Sequence, residues 1–338
     1  MKENHDRTNE EEPVARRPAL RRWRPVIISV IGLGAAVWLL RSISFLDLRL
    51  AVERLGWTEL FVGFLAYVGF VGLKAARFQA LFGGTVPFRP MFGVVAAQTF
   101  WTNLLPMRTG DLSYVVLLRD KTRATGTEGA SSLLVASALD LWWLFVLAGG
   151  LGVFFVSTGV RNATVVALTG LAVAGTFAGI LFWSVGRLFA ARATERLAKT
   201  IERVPVLGGA FGRLLREMER QTWNGSFGRA ALFSALALVL RYAFQLYLLR
   251  AMFPAIRTTQ GVFALVFAGL VNLLPIQGVG NVGSIELPWA WALMSVGVPQ
   301  PEAIASGFAL HAVVLLYAGG IGLLSPVLLR RVGKEAMR

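Results

Sequence analysis

The sequence predicts an all-α polytopic membrane protein, with about six spanning helices and two re-entrant hairpins arranged as an inverted repeat. Three observations carry that prediction. First, 55% of the 338 residues are hydrophobic and 16% charged, whereas soluble domains carry roughly 25% charged residues; mean hydropathy is +0.61. Second, the apolar residues fall into separate stretches, most of them long enough to cross a bilayer. Third, Asn103-Leu104-Leu105-Pro106 recurs as Asn272-Leu273-Leu274-Pro275, 169 residues later.

Taken in order, residues 1–24 read as a disordered basic tail ending in Arg16, Arg17, Arg21, Arg22 and Arg24. The apolar stretch 26–40 follows. Arg41 comes directly after it and no small-residue cleavage site is evident, so it reads as a retained first helix and not a signal peptide. Further apolar stretches occupy 57–76, 91–105, 131–156, 163–185, 230–251, 261–274, 285–297 and 303–329. Three of these, 91–105, 261–274 and 285–297, hold only 15, 14 and 13 residues. Segments that short are more often re-entrant or interfacial than spanning.

Loop charge sets the orientation. Residues 187–229 carry nine Lys/Arg against four acids, whereas 157–162, 252–260 and 297–302 carry one, one and none. Basic loops belong in the cytoplasm, which puts both termini inside. That placement requires 91–118 to enter and leave on the inner side and 259–297 on the outer side. Within 187–222, apolar and basic residues alternate at helical spacing, interrupted at Pro205 and Gly208-Gly209. This pattern reads as a pair of interfacial helices on the inner leaflet. The implied organisation is the tail 1–24, a membrane domain 25–329 and a basic C-terminal tail 330–338. Repeat 1 covers about 57–156, repeat 2 about 230–329, and the amphipathic stretch lies between them.

Each copy of the repeated motif ends a short apolar arm and leads into glycine and an acid. The first continues through Arg108 and Gly110 to Asp111, the second through Gly278, Gly280 and Gly283 to Glu286. Proline and clustered glycines cannot continue a helix, and broken backbone at membrane depth survives only where protein or a watery cavity covers it. Oppositely oriented breaks of this kind place substrate sites near the midplane of many transporters. Their half-helix N-termini would suit an anionic headgroup. Ionisable residues at such depth are functional candidates by default. Arg77, Arg108 and Arg241 have the planar fork that binds phosphate, with Asp111, Asp140 and Glu286 as counter-charges or proton carriers. The alternative, in which these acids and bases simply pair with each other, weighs equally for Arg241 and Glu286. Lys74 is expected to snorkel to the interface, and His311 to be a packed residue.

Several function classes drop out. The chain has no cysteine, and His5 and His311 share no ligand spacing, so neither metal nor other cofactor is expected. The net charge of +15 with a pI near 11.3 suits anionic inner-leaflet lipids and not nucleic acid. No phosphate-binding Gly-x-x-x-x-Gly-Lys-Ser/Thr pattern is present.

At Asn103-Leu-Leu-Pro106-Met-Arg108-Thr-Gly110-Asp111, Asp140 and Gly278-Val-Gly280-Asn-Val-Gly283-Ser-Ile-Glu286, the chain resembles the transmembrane region of lysylphosphatidylglycerol synthase, a flippase-like family, over roughly residues 26–329. It departs where the family usually has Gly-Glu (here Gly110-Asp111), an arginine (Tyr114) and a Glu-Arg pair before the aspartate (Ala136 and Ser137). The resemblance implies lipid handling. Full-length synthases add a soluble domain that attaches the amino acid, and nine residues after Leu329 leave no room for one, so aminoacyl transfer is not expected.

The expectation is therefore a lipid translocator in a bacterial or archaeal cell membrane. It would bind an anionic or glycosylated lipid through Arg77, Asn103, Pro106, Arg108, Gly110, Asp111, Asp140, Arg241, Asn272, Pro275, Gly278, Gly280, Gly283 and Glu286. A membrane enzyme or accessory subunit acting on lipid-linked sugars or phospholipids is the alternative, and a non-transporting scaffold the third reading. Compatible protein partners are a second copy of the chain or a lipid-modifying enzyme.

Overall fold

The computed structural model describes residues 53–159, 163–202, 208–223, 225–272, 274 and 277–335. The basic tail 1–24, the apolar stretch 26–40 and Pro275 lie outside the described residues. Ten α-helices and no strand form among those described. They are α1 (Trp57–Leu81), α2 (Phe88–Leu104), α3 (Asp111–Lys121), α4 (Gly126–Ser157), α5 (Ala163–Glu202), α6 (Gly208–Trp223), α7 (Phe227–Met252), α8 (Thr258–Val271), α9 (Glu286–Ser295) and α10 (Gln300–Glu335).

Five of them, α1, α4, α5, α7 and α10, contain a stretch long and apolar enough to cross a membrane. Their outward faces stay apolar: Phe177 on α5 is 66% exposed and Val239 on α7 64% exposed. Large hydrophobic side chains exposed in such numbers along spanning-length helices are covered by lipid. The protein is a multi-pass membrane protein. The three short apolar stretches form α2, α8 and α9, of 17, 14 and 10 residues. At 1.5 Å rise per residue these are about 26, 21 and 15 Å long, less than a hydrocarbon core.

Helix starts follow local chemistry. Thr125 caps α4 by accepting from the Glu128 amide, and the Glu128 side chain returns the bond to the Thr125 amide. Arg220 of α6 reaches the same Glu128 carboxylate at 3.1 Å, and Gln221 donates to the Glu128 carbonyl. α6 is thereby docked onto the start of α4. The interruption expected at Pro205 lies outside the described residues, between the end of α5 at Glu202 and the start of α6 at Gly208. The residues from 187 onward do not begin a helix of their own, however. They prolong the helix that starts at Ala163 into a single rod of 40 residues, about 60 Å. No proline occurs between 163 and 202 and Gly186 alone does not break a helix, so propagation carries through.

The interior is built from helix pairs. α1 lies along α7, α2 along α10, and α4 along α5, while α2 with α3 and α8 with α9 fold back on each other as hairpins. The α1–α7 seam is aromatic: the Tyr67 and Phe244 rings meet edge to face, 5.6 Å apart. Tyr317 of α10 closes that seam by donating to the Leu60 carbonyl at 2.7 Å. These seams hold the two helical breaks side by side.

Candidate functional site

After Leu104 the backbone leaves the helix and makes a 3-10 turn over Pro106–Arg108. Met107 and Arg108 there have φ values of 55° and 54°. The second break makes the corresponding turn over Val279–Asn281, with φ of 62° at Gly280 and 56° at Asn281. Left-handed backbone is easy for glycine, tolerated by asparagine and costly for arginine and methionine, and clusters at functional sites. The two turns touch: the Met107 amide donates to the Gln277 carbonyl at 2.8 Å. That bond satisfies a backbone amide of the first break with a carbonyl from the second.

Gly110 permits the tight fold of the first hairpin, because a Cβ there would run into the backbone of Trp101 and Thr102. Gly110→Ala is expected to lower stability by about 1–3 kcal/mol, the usual cost of overpacking against atoms that cannot yield. A thermal-unfolding midpoint in detergent equal to that of the parent protein would contradict this packing.

An internal cavity of about 160 Å³ opens beside the touching turns. Seven of the residues singled out in the sequence line it: Arg77, Asn103, Arg108, Asp111, Asp140, Arg241 and Asn272. Pro106, Gly110, Gly278, Gly280 and Gly283 shape the breaks and are absent from its lining. Glu286 is buried outside it, at 1% exposure. Lys74 also lines the cavity, donating to Thr99 at 3.2 Å. It does not extend to an interface as expected, since its position on α1 faces the interior where Thr99 offers an acceptor.

Most charges in the cavity are paired. Arg77, 3% exposed, makes an ion pair with Asp140 and a bond of 3.4 Å to Ser234. Asp111 accepts from Thr102 at 2.8 Å, Gln98 at 3.1 Å and Arg108 Nε at 3.1 Å. This carboxylate therefore clamps α2 to α3 and holds Arg108, leaving the terminal nitrogens of that guanidinium uncommitted. Arg241 differs from the others. It has no hydrogen bond or ion pair among the described residues, and its guanidinium carbon lies 6.0 Å from the Phe70 ring centre. The Arg241–Glu286 pairing weighed in the sequence does not form, because Glu286 is taken by His311 at 2.5 Å.

The half-helix N-termini also differ from expectation. Asp111 and Glu286 are themselves the first residues of α3 and α9. An acid in the first turn already complements the dipole, so side-chain cations are left to meet an anion. Lys74, Arg77, Arg108 and Arg241 face two carboxylates, Asp111 and Asp140, an excess of two formal positive charges in one cavity.

Several residues not singled out as site candidates complete the site. Gln98, Tyr242, Gln245, Gln277 and Asn281 line the cavity, and each is at most 8% exposed. The amide nitrogens of Gln98 and Gln277 are committed to Asp111 and Asn272, which leaves their carbonyl oxygens without a partner. Such oxygens accept hydrogen bonds from hydroxyl or amine groups. For Gln98, Tyr242 and Gln245 the available signal was a polar side chain inside an apolar helix; Gln277 and Asn281 lie in the second break. Ala136 and Ser137 bring only a methyl and a hydroxyl to the wall.

A family model described as the lysylphosphatidylglycerol synthase TM region matches residues 26–322. No curated protein and no solved structure matches the chain.

Proposed function

Since the chain belongs to the family of the lysylphosphatidylglycerol synthase TM region, we propose that it is a lipid translocator, carrying an anionic or hydroxyl-bearing headgroup between leaflets. The observation that carries this reading is the cavity beside the two touching breaks, with four cations, two carboxylates and amide oxygens lacking partners. A phosphate would answer the excess cations through arginine's bidentate donors. Hydroxyl groups of glycerol or sugar would answer Gln98 and Gln277. Acyl chains would remain outside, among the apolar faces of the spanning helices.

In this reading α2–α3 and α8–α9 are re-entrant hairpins entering from opposite leaflets. Repeat 1 (about 57–156) and repeat 2 (about 230–329) are then inverted copies, which supplies alternating access around a fixed site. Two features support the symmetry: each break makes a 3-10 turn with two successive left-handed residues, and each short helix after it starts on an acid. The basic 187–222 stretch and both termini lie at the cytoplasmic face of the cell membrane, beside anionic lipid.

The test is reconstitution into vesicles of phosphatidylethanolamine and phosphatidylglycerol carrying tail-labelled phosphatidylglycerol or a polyprenyl-phosphate sugar. Exchange between leaflets, read by chemical bleaching of the outer label, is expected to accelerate over protein-free vesicles. No acceleration for either lipid overturns the proposal.

A further inference from the structure

A second cavity, about 60 Å³, joins the first through shared walls at Asn103, Arg241, Tyr242 and Gln245, and its far wall carries His311 of α10. His311 is 5% exposed, and its Nδ1 lies 2.5 Å from Oε1 of Glu286. The other carboxylate oxygen, Oε2, accepts from the Gly283 amide at 2.7 Å. With a proton on Nδ1 donated to Glu286, the Nε2 lone pair is left over, and Nε2 is buried without a partner. A buried polar atom of this kind lacks a group that would satisfy it.

We propose that Glu286 and His311 form a proton-binding site, loaded at Nε2 of His311 through the second cavity. Imidazole is the side chain that gains and loses a proton near neutral pH, and ionisable pairs inside a membrane serve as proton relays. Without the extra proton the pair carries one negative charge; with it, the pair is an imidazolium–carboxylate and neutral. The charged and titratable groups on this cavity besides His311 are Arg241 and Tyr242, both from α7. The other packed elements contribute only uncharged side chains there, such as Asn103 from α2, Asn272 following α8 and Trp289 from α9. α1 and α3, which also reach α10, bring none.

The charge balance gives the proton a role. A deprotonated, negative pair complements the Arg241 cation across the cavity. Proton binding removes that counter-charge and leaves Arg241 to an anion. Each ligand then strengthens binding of the other, and the two couplings are equal by linkage. The site is also tied to the breaks: Glu286 holds Gly283, while Gln277 of the same loop holds Met107. The coupling to a headgroup rests on the translocator reading; the proton site itself does not.

Two measurements separate them. The chain has two histidines, His5 and His311, so His5→Gln leaves His311 alone. Nitrogen NMR of that variant, labelled at histidine in phosphatidylglycerol nanodiscs and followed over the pH range in which the fold is retained, should show Nε2 of His311 passing from its unprotonated to its protonated signal. Glu286→Gln should displace the inflection. Signals that stay constant over that range overturn the site, whatever the vesicles do.

In vesicles with the membrane potential clamped, a gradient of about one pH unit should change the rate of leaflet exchange and shift the headgroup's distribution between leaflets by up to about tenfold for one proton per headgroup. His311→Gln should bring the ratio of rates with and without the gradient to one. Exchange indifferent to the gradient in the parent protein overturns the coupling. Exchange absent under every gradient is the failure of the translocator reading, and the NMR result then decides the proton site alone.

Discussion

Asp140→Asn is expected to destabilise the protein more than Arg77→Gln, although the two residues form one ion pair. Arg77 is 3% exposed, whereas the Asp140 side chain is 41% exposed toward the cavity. Asp140→Asn keeps an acceptor oxygen beside Arg77 but removes the negative charge, leaving a buried guanidinium without a counter-ion and with only a weak 3.4 Å contact to Ser234 besides. An uncompensated buried charge of this kind costs about 3–5 kcal/mol. Removing Arg77 leaves a carboxylate that water in the cavity can reach, and pairs with one solvated member contribute about 0–1 kcal/mol. To that is added the lost stacking of Arg77 on Phe78, 4.9 Å away, about 0.5–1 kcal/mol. Thermal unfolding of the two variants in the same detergent gives the comparison. Equal losses, or a larger one for Arg77→Gln, would mean that Asp140 is not the counter-ion that makes Arg77 tolerable at this depth.

That asymmetry shows what the sequence carried and what it did not. An arginine and an aspartate inside apolar stretches announce themselves by their cost in lipid, so Arg77 and Asp140 were legible one at a time. Their pairing was not, because it depends on how α1 and α4, 63 residues apart at this contact, turn their faces toward each other. The same limit misplaced Lys74. Its sequence context is an apolar helix end, which suits snorkelling, but its side of α1 faces Thr99 of α2. A lone histidine in an apolar helix reads as a packed residue, and His311 is packed at 5% exposure; its pairing with Glu286, 25 residues away on α9, is not visible in the sequence. The breaks were legible for a local reason. Proline after Asn-Leu-Leu and clustered glycines before an acid disfavour continued helix at those positions, although Pro326 is accommodated inside α10. Their mutual contact between Met107 and Gln277 was hinted at only by the repeat of the motif.

Arg241→Gln is expected to have the opposite profile, with little loss of stability and a large loss of transport. Arg241 lines both cavities, yet it has neither hydrogen bond nor ion pair among the described residues; its guanidinium faces the Phe70 ring. Replacing a residue with no partner to orphan leaves no buried charge behind, so the unfolding midpoint should move little. The glutamine keeps length and polarity and removes only the cation. If a phosphate docks here, the lost charge-assisted bond is worth about 1.5–3 kcal/mol, which corresponds to roughly ten- to a hundredfold in headgroup affinity. Leaflet exchange measured below saturation should fall by the same factor, and Arg241→Lys should recover only part of it, because an ammonium offers a point charge and no fork. A variant that folds and exchanges lipid at the parent rate would remove Arg241 from the binding site. The cation in contact with the headgroup would then have to be Arg108, whose terminal nitrogens Asp111 leaves open. Arg108 sits in the first break and Arg241 on α7, so this result would also move the site away from the shared wall of the cavities and onto the first break.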